Sequence, residues 1–184
     1  LNFKPLFNGK LLRLAAPQPD DNLAFAKWSE NDHYLRIMDN DPARPVNAEM
    51  HVQWEAGFFN APNVYAFRLR TLEDDTMIGT VLLGGVDAMH QTANLGIAIG
   101  DPNYWRKGYG TDAMRLILNY GFDELNLFRV TSSTMSYNVP SMKVHEKVGF
   151  QREGIQRQSI RRQGQRYDVI HYGILRPEWE ALQA

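Results

Sequence analysis

The chain is predicted to fold as an α+β domain around a mixed central sheet, with helices on both faces, and three observations predict it. Two alternating stretches, Val64 to Arg70 and Met77 to Val86, flank the turn signal Glu73-Asp74-Asp75 and read as an antiparallel hairpin. From Asn94 onward a strand, a helix, a strand and a second helix follow one another, an order that mixes crossover connections with the hairpin. Two long alternating runs, Gln151 to Arg162 and Arg166 to Leu175, meet at Gln163-Gly164-Gln165 and finish the sheet.

Taken in order, Lys10 to Leu14 reads as a first strand, and Pro17 to Asp20 supplies the break and the cap for a helix through Trp28. Helical pieces follow at His33 to Met38 and, past Pro42 and Pro45, at Asn47 to Phe59, where Met50, Trp54 and Phe58 fall at i, i+4 and i+8. After the hairpin, Asn94 to Ile99 is a strand and Tyr109 to Phe122 a helix with Ala113, Leu116, Ile117 and Tyr120 inward. Phe128 to Thr134 is the next strand, and the helix after it starts at Asn138 and stops at Gly149. No repeat, low-complexity tract or linker divides residues 1–184, which are read as one domain.

Composition narrows the class. With 184 residues and 43% hydrophobic content, the chain can bury a full single core. A net charge of −1 gives no global field to recruit nucleic acid or an acidic membrane. The absence of cysteine removes disulfides, thiolate nucleophiles and cysteine-based zinc sites, and no metal site is expected. The stretch Leu1 to Leu6 lacks the apolar core of a signal peptide, and no run approaches the roughly 20 residues of a membrane span, so a cytoplasmic location is expected.

The most informative stretch runs from Asp101 through Trp105, Arg106, Lys107, Gly108, Tyr109, Gly110 and Thr111 to Ala113, between a strand and a helix. Two glycines permit a tight turn of inward N–H groups, and the helix that follows adds unpaired donors and the positive end of its dipole. Such a loop suits the phosphates of a cofactor. The P-loop pattern does not fit, because Lys107 precedes its glycine. Gly108-x-Gly110-x-x-Ala113 matches the loose dinucleotide fingerprint, yet the next strand offers no acid for a ribose.

A second block, Asn138-Val139-Pro140-Ser141-Met142-Lys143-Val144-His145-Glu146-Lys147-Val148-Gly149-Phe150, decides between these readings. Together the two blocks resemble the GNAT superfamily of acetyl-CoA-dependent N-acetyltransferases. The branch most resembled contains the ribosomal-protein N-terminal acetyltransferases and the polyamine acetyltransferases, and the specific match runs from Thr92 to Arg176. The resemblance implies a mostly antiparallel sheet splayed between the strands that flank the pyrophosphate loop. It implies coenzyme contacts from Trp105, Arg106, Lys107, Gly108, Tyr109, Gly110 and Thr111, from Asn138, and from the strand Ile97, Ala98 and Ile99, whose backbone would pair with the pantetheine arm. Trp105 departs from the usual Gln or Arg of that loop.

Transfer needs an amine held against the thioester, a route for its proton and a donor to the departing thiolate. Many relatives place a tyrosine seven positions after the Asn of the second block; here that position is His145, the expected donor. Where relatives often carry glutamate, the chain has Asn94, which is expected to order a water, since an amide is no general base. His90 is read as a solvated loop residue. An α-amine near pKa 7.7 to 8.0 loses its proton more readily than an alkylammonium near 10.4. The expected acceptor is therefore a peptide or protein N-terminus, with a polyamine or other small amine as the alternative. A non-catalytic acyl-CoA sensor is the rival from another class. A homodimer is an expected form.

Two further features attract a functional reading. Arg152, Arg157, Arg161, Arg162 and Arg166 make the last hairpin basic, yet no aromatics interleave with them, so they are read as a solvated face and no nucleic acid partner is expected. The stripe Trp28, Tyr34, Met38, Met50, Trp54, Phe58 and Phe59 is read as core, with Glu30, Asp32, Asp39 and Asp41 nearby to attract a cation.

Overall fold

A computed structural model describes residues 5–58 and 61–183. Phe59 and the segment 1–4 of the sequence reading lie outside the described residues, as does the side chain of Phe58. The strands are β1 (Leu12–Ala15), β2 (Tyr65–Thr71), β3 (Met77–Asp87), β4 (Thr92–Ile99), β5 (Arg129–Met135), β6 (Gln151–Arg162) and β7 (Gln165–Leu175). They form one sheet in the order β1-β2-β3-β4-β5-β7-β6, antiparallel throughout except at β4 and β5. Helices α4 (Tyr109–Asn119), α5 (Val139–Val148) and α6 (Arg176–Ala181) pack with the main core, which includes Leu69, Val81, Leu95, Ile117 and Trp179. On the second face lie α1 (Asp21–Ser29), α2 (Asp32–Met38) and α3 (Ala48–Phe58), with a smaller cluster of Phe25, Trp28 and Tyr34. Among the described residues no helix is long and apolar enough to cross a membrane.

Where the elements differ from the expected ones, a specific contact is responsible. The strand expected from Lys10 starts at Leu12, because the N–H groups of Lys10, Leu11 and Leu12 all donate to the Asp112 carboxylate at 2.8 to 3.2 Å. Helix α4 ends at Asn119 and widens into a π-turn over Tyr120–Glu124. Gly121 lies in that turn, where a Cβ would come within 3.0 Å of Leu83. Tyr120 is only partly buried, edge-on to Phe67 at 5.0 Å. Helix α6 was not anticipated, although Pro177 in its first turn and Glu178, which accepts from the Leu175 N–H at 2.8 Å, are ordinary start signals.

The second face is held by buried charge. Alternation along β2 sends Phe67 and Leu69 to the main core and Arg68 and Arg70 to the other side, where they are 0% and 7% exposed. Asp21 of α1 pairs with both arginines, and Glu55 of α3 pairs with Arg68 at 2.5 Å, so two cations meet two anions. This requirement corrects the expected aromatic core stripe. The inward positions of α3 go to His51 and Glu55, while Met50 and Trp54 stand 42% and 59% exposed, as does Met38 of α2 at 38%. His51 stacks on Phe25 at 4.1 Å and bonds Asn22 through Nδ1 at 2.7 Å.

The site depends on where β4 and β5 part. Their parallel pairing covers three positions, Thr92 with Arg129, Ala93 with Val130 and Asn94 with Thr131. At the vertex, side-chain hydroxyls take over the ladder: Thr131 Oγ1 donates to the Ala93 carbonyl at 3.2 Å, and Ser132 Oγ, 3.0 Å from the Leu95 carbonyl, shares its one proton between that oxygen and His145. His145 braces the vertex from α5. Its Nε2 lies 2.9 Å from Ser132 Oγ, its Nδ1 lies 2.8 Å from the Ser141 carbonyl, and its ring stacks on Tyr172 at 4.7 Å.

Two predictions follow from this packing. Asp112→Ala strands three backbone donors and should destabilise the protein by about 1–2 kcal/mol, a fall in Tm of roughly 2–8 °C, with Asp112→Asn intermediate. Equal melting of all three proteins would refute the role. Burial lowers the pKa of both His51, with help from Arg68, and His145 below the ordinary value near 6.5. The unfolded chain then binds protons that the folded chain refuses, so their contribution is complete above about pH 6.5 and is lost as the pH falls toward the lowered values. Melting between pH 7.5 and 5.5 should show a falling Tm, and His145→Gln should flatten part of the fall.

Candidate functional site

A cleft of about 1090 Å³ opens where β4 and β5 separate. One wall is Ile97, Ala98 and Ile99, whose far edge pairs with β3 at Val81, Thr80 and Gly79 while β5 has already turned away. That leaves a strand edge facing the gap, which suits an extended ligand with amides of its own. Ile99 is partly committed: Trp105 Nε1 donates to its carbonyl at 2.8 Å.

At one end the cleft is built for anions. Gly108 sits at φ +94°, and Arg106 two residues earlier is also left-handed at φ +58°, so the loop turns sharply into α4. No side chain caps the first turn of α4, because its only acid, Asp112, is turned toward β1. The N–H groups of Tyr109, Gly110 and Thr111 are therefore available to an anion, with the helix dipole behind them. Arg106, Lys143 and Lys147 add charge to the same walls, the two lysines one turn apart on α5. Lys143 and Lys147 were not singled out from the sequence, although their i, i+4 spacing in the second block was a usable signal.

Of the coenzyme contacts that the resemblance implied, Ile97, Ala98, Ile99, Trp105, Arg106, Gly108, Gly110, Thr111 and Asn138 line this cleft. Lys107 is exposed outside it, and Tyr109 turns its ring edge-on to Tyr104 at 5.2 Å. Asn138 spends its amide within the protein. Its Oδ1 caps α5 at the Ser141 N–H, 3.2 Å away, and its Nδ2 donates to the Ile37 carbonyl of α2, also at 3.2 Å.

The two expected catalytic residues are placed elsewhere. His145 is 2% exposed and sits behind Ser141, with both ring nitrogens bonded, because Ser132, Ser141 and Tyr172 offer it a complete set of partners in the core. Asn94 is exposed at the last paired position of β4, with Nδ2 3.3 Å from Thr131 Oγ1, and is not part of the cleft lining. His90 is exposed in the turn before β4, its N–H donated to Asp87 at 2.8 Å.

Helix α2 spans the cleft from Trp105, which its His33 meets ring to ring at 5.8 Å, to Tyr137 and Asn138. His33, Tyr34, Ile37 and Met38 line the cleft from it. Three long-range donors hold the end of α2 in place: Tyr137 Oη to the Arg36 carbonyl at 2.7 Å, Asn138 Nδ2 to Ile37, and Arg162 Nη2 to the carbonyls of Asp39 and Asp41 at 3.1 and 2.9 Å. Arg162 is thus no part of a solvated face, unlike Arg152, Arg157, Arg161 and Arg166, which are exposed. Among the described residues no group of three or more His, Asp or Glu side chains is arranged to hold a metal ion.

Comparison with known proteins agrees with this geometry. Residues 11–151 match the acetyltransferase (GNAT) domain family. The chain is 31% identical over 175 residues to the prophage-derived N-acetyltransferase YokL of Bacillus subtilis, covering 95% of each chain. It is 32% identical over 80 residues to the spermidine N(1)-acetyltransferase of Escherichia coli, 44% of this chain and 42% of that one. The crystal structure of spermidine N-acetyltransferase from Vibrio cholerae with CoA and spermine superposes with a TM-score of 0.81 at 20% identity, covering 92% of this chain and 98% of that one. With a splayed sheet, a left-handed turn into the uncapped start of α4 and these matches, the chain belongs to the GNAT family and is an acetyltransferase with acetyl-CoA as its co-substrate.

Proposed function

We propose that the enzyme transfers the acetyl group directly to a primary amine of a linear alkyl polyamine of the spermidine type. The observation that carries this reading is the state of the α2 wall. The carbonyls of Arg36, Ile37, Asp39 and Asp41 are already taken by Tyr137, Asn138 and Arg162, and what α2 offers the cleft includes the apolar side chains of Ile37 and Met38. A peptide acceptor would bring main-chain N–H and C=O groups that need partners. A polymethylene chain needs only apolar contact, and although no carboxylate among the described residues lines the cleft itself, Asp39 at the end of α2 adds negative potential near Tyr34. The spermidine acetyltransferases among the relatives support the same choice over the expected N-terminal α-amine.

In this reading the diphosphate of acetyl-CoA lies against the turn at Gly108 and the first turn of α4, and its pantetheine arm along Ile97 and Ala98. The acceptor ammonium loses one proton to water, and its nitrogen attacks the thioester carbonyl carbon. As the C–N bond forms and the C–S bond breaks, coenzyme A leaves as a thiolate, which takes up one proton through solvent as the nitrogen gives up its second. Asn94 and His145 act in this scheme as positioning residues that hold the vertex of the splay, His145 through Ser132 and Ser141.

Acetyl-CoA at 100 times its Kd should stabilise the protein by about 2.7 kcal/mol, seen as a rise in Tm. Gly108→Asp places a side chain and a negative charge at the left-handed turn and should abolish the rise while the unliganded protein still melts cooperatively. A retained rise would move the diphosphate elsewhere. In a competition at pH 7.5 between spermidine and a short peptide with a free N-terminus, spermidine should be acetylated first; the opposite preference would overturn the polyamine assignment.

A further inference from the structure

Tyr34 is the one α2 residue that brings a buried polar group to the wall of the cleft. Its side chain is fixed from several directions. Its N–H is bonded to the Asn31 cap at 3.1 Å, its ring is edge-on to Trp28 at 6.3 Å, and Ala98 and Trp105 pack against the same cluster. The residue is 4% exposed and nevertheless lines the cleft. Among the described residues its hydroxyl has no hydrogen-bond partner, and it is not one of the polar atoms sealed from solvent without one. The contrast is Tyr137, whose hydroxyl also reaches this region but is spent on Arg36.

A phenol whose hydroxyl opens onto the cleft offers a polar contact there that phenylalanine, filling the same volume, would not. Resting on the acetyl-transfer reading of the cleft, we propose that the Tyr34 hydroxyl hydrogen-bonds the acceptor amine and so helps to determine which amines are accepted. Burial and the nearby Asp39 push its pKa up, so the group is a neutral phenol at any working pH and both accepts from an N–H and donates its own proton. Asp39 supplies negative potential beside it, and Ile37 and Met38 receive the methylenes that follow the amine.

Tyr34→Phe removes the hydroxyl and leaves the ring. Its kcat/KM for spermidine should fall roughly 10- to 100-fold, while the KM for acetyl-CoA and the acetyl-CoA-induced rise in Tm stay at wild-type values. An unchanged kcat/KM, or an equal loss of acetyl-CoA affinity, would overturn the proposal. If the variant does not fold, 3-fluorotyrosine at position 34 gives a second measurement: its ¹⁹F resonance should move when spermidine is added to the CoA complex, and a resonance that stays put overturns the contact. If the wild-type enzyme prefers a peptide amine, the polyamine reading fails, and the same measurements made with that peptide still decide whether Tyr34 touches the acceptor.

Discussion

Everything distinctive in this molecule follows from the early end of the pairing between β4 and β5. A parallel ladder that continued past Asn94 would satisfy both strands and leave no room for a ligand. Instead β5 stays with β7 as far as Met135 while β4 stays with β3 as far as Ile99, and the two edges diverge. Backbone groups at the vertex cannot be left unpaired in a dry core, and two hydroxyls, Thr131 and Ser132, complete the accounting there. His145 then ties α5, which forms one side of the cleft, to the strand at its apex.

The cleft has walls with different physics because different elements supply them. At the α4 end the attraction is electrostatic and made mostly by backbone, with a left-handed turn, an uncapped helix start and cations on two elements. Along α2 the walls are side chains from the second face of the sheet, largely apolar and aromatic.

The position of α2 rests on contacts far apart in sequence. Arg162, near the tip of the last hairpin, reaches carbonyls more than 120 positions earlier, and Tyr137 and Asn138 do the same across about 100 positions. Beneath α1 and α3, the exchange of charge among Asp21, Glu55, Arg68 and Arg70 fixes the remaining helices to β2. A buried ion set of this kind specifies geometry more than it adds stability, since a misplaced helix would leave a charge uncompensated.

The sequence by itself determined the element order, the α+β class, the turn at Gly108, the Asn138 helix start and the family, because these depend on local periodicity, on glycine at positive φ and on short motifs. Tertiary structure alone decided which face of an element met which neighbour. Period-2 alternation placed Arg68 and Arg70 opposite Leu69, but only α1 and α3 made that face an interior, and this turned His51 and Glu55 inward in place of Met50 and Trp54. The position of His145 in its motif pointed to the thioester, yet the imidazole is held by two serines and a tyrosine ring from three separate elements or turns of the chain. Tyr34 was one aromatic in an amphipathic stretch until α2 was roofed over the splay, since whether a hydroxyl has a partner is a property of the space around it and not of the residues beside it in the chain.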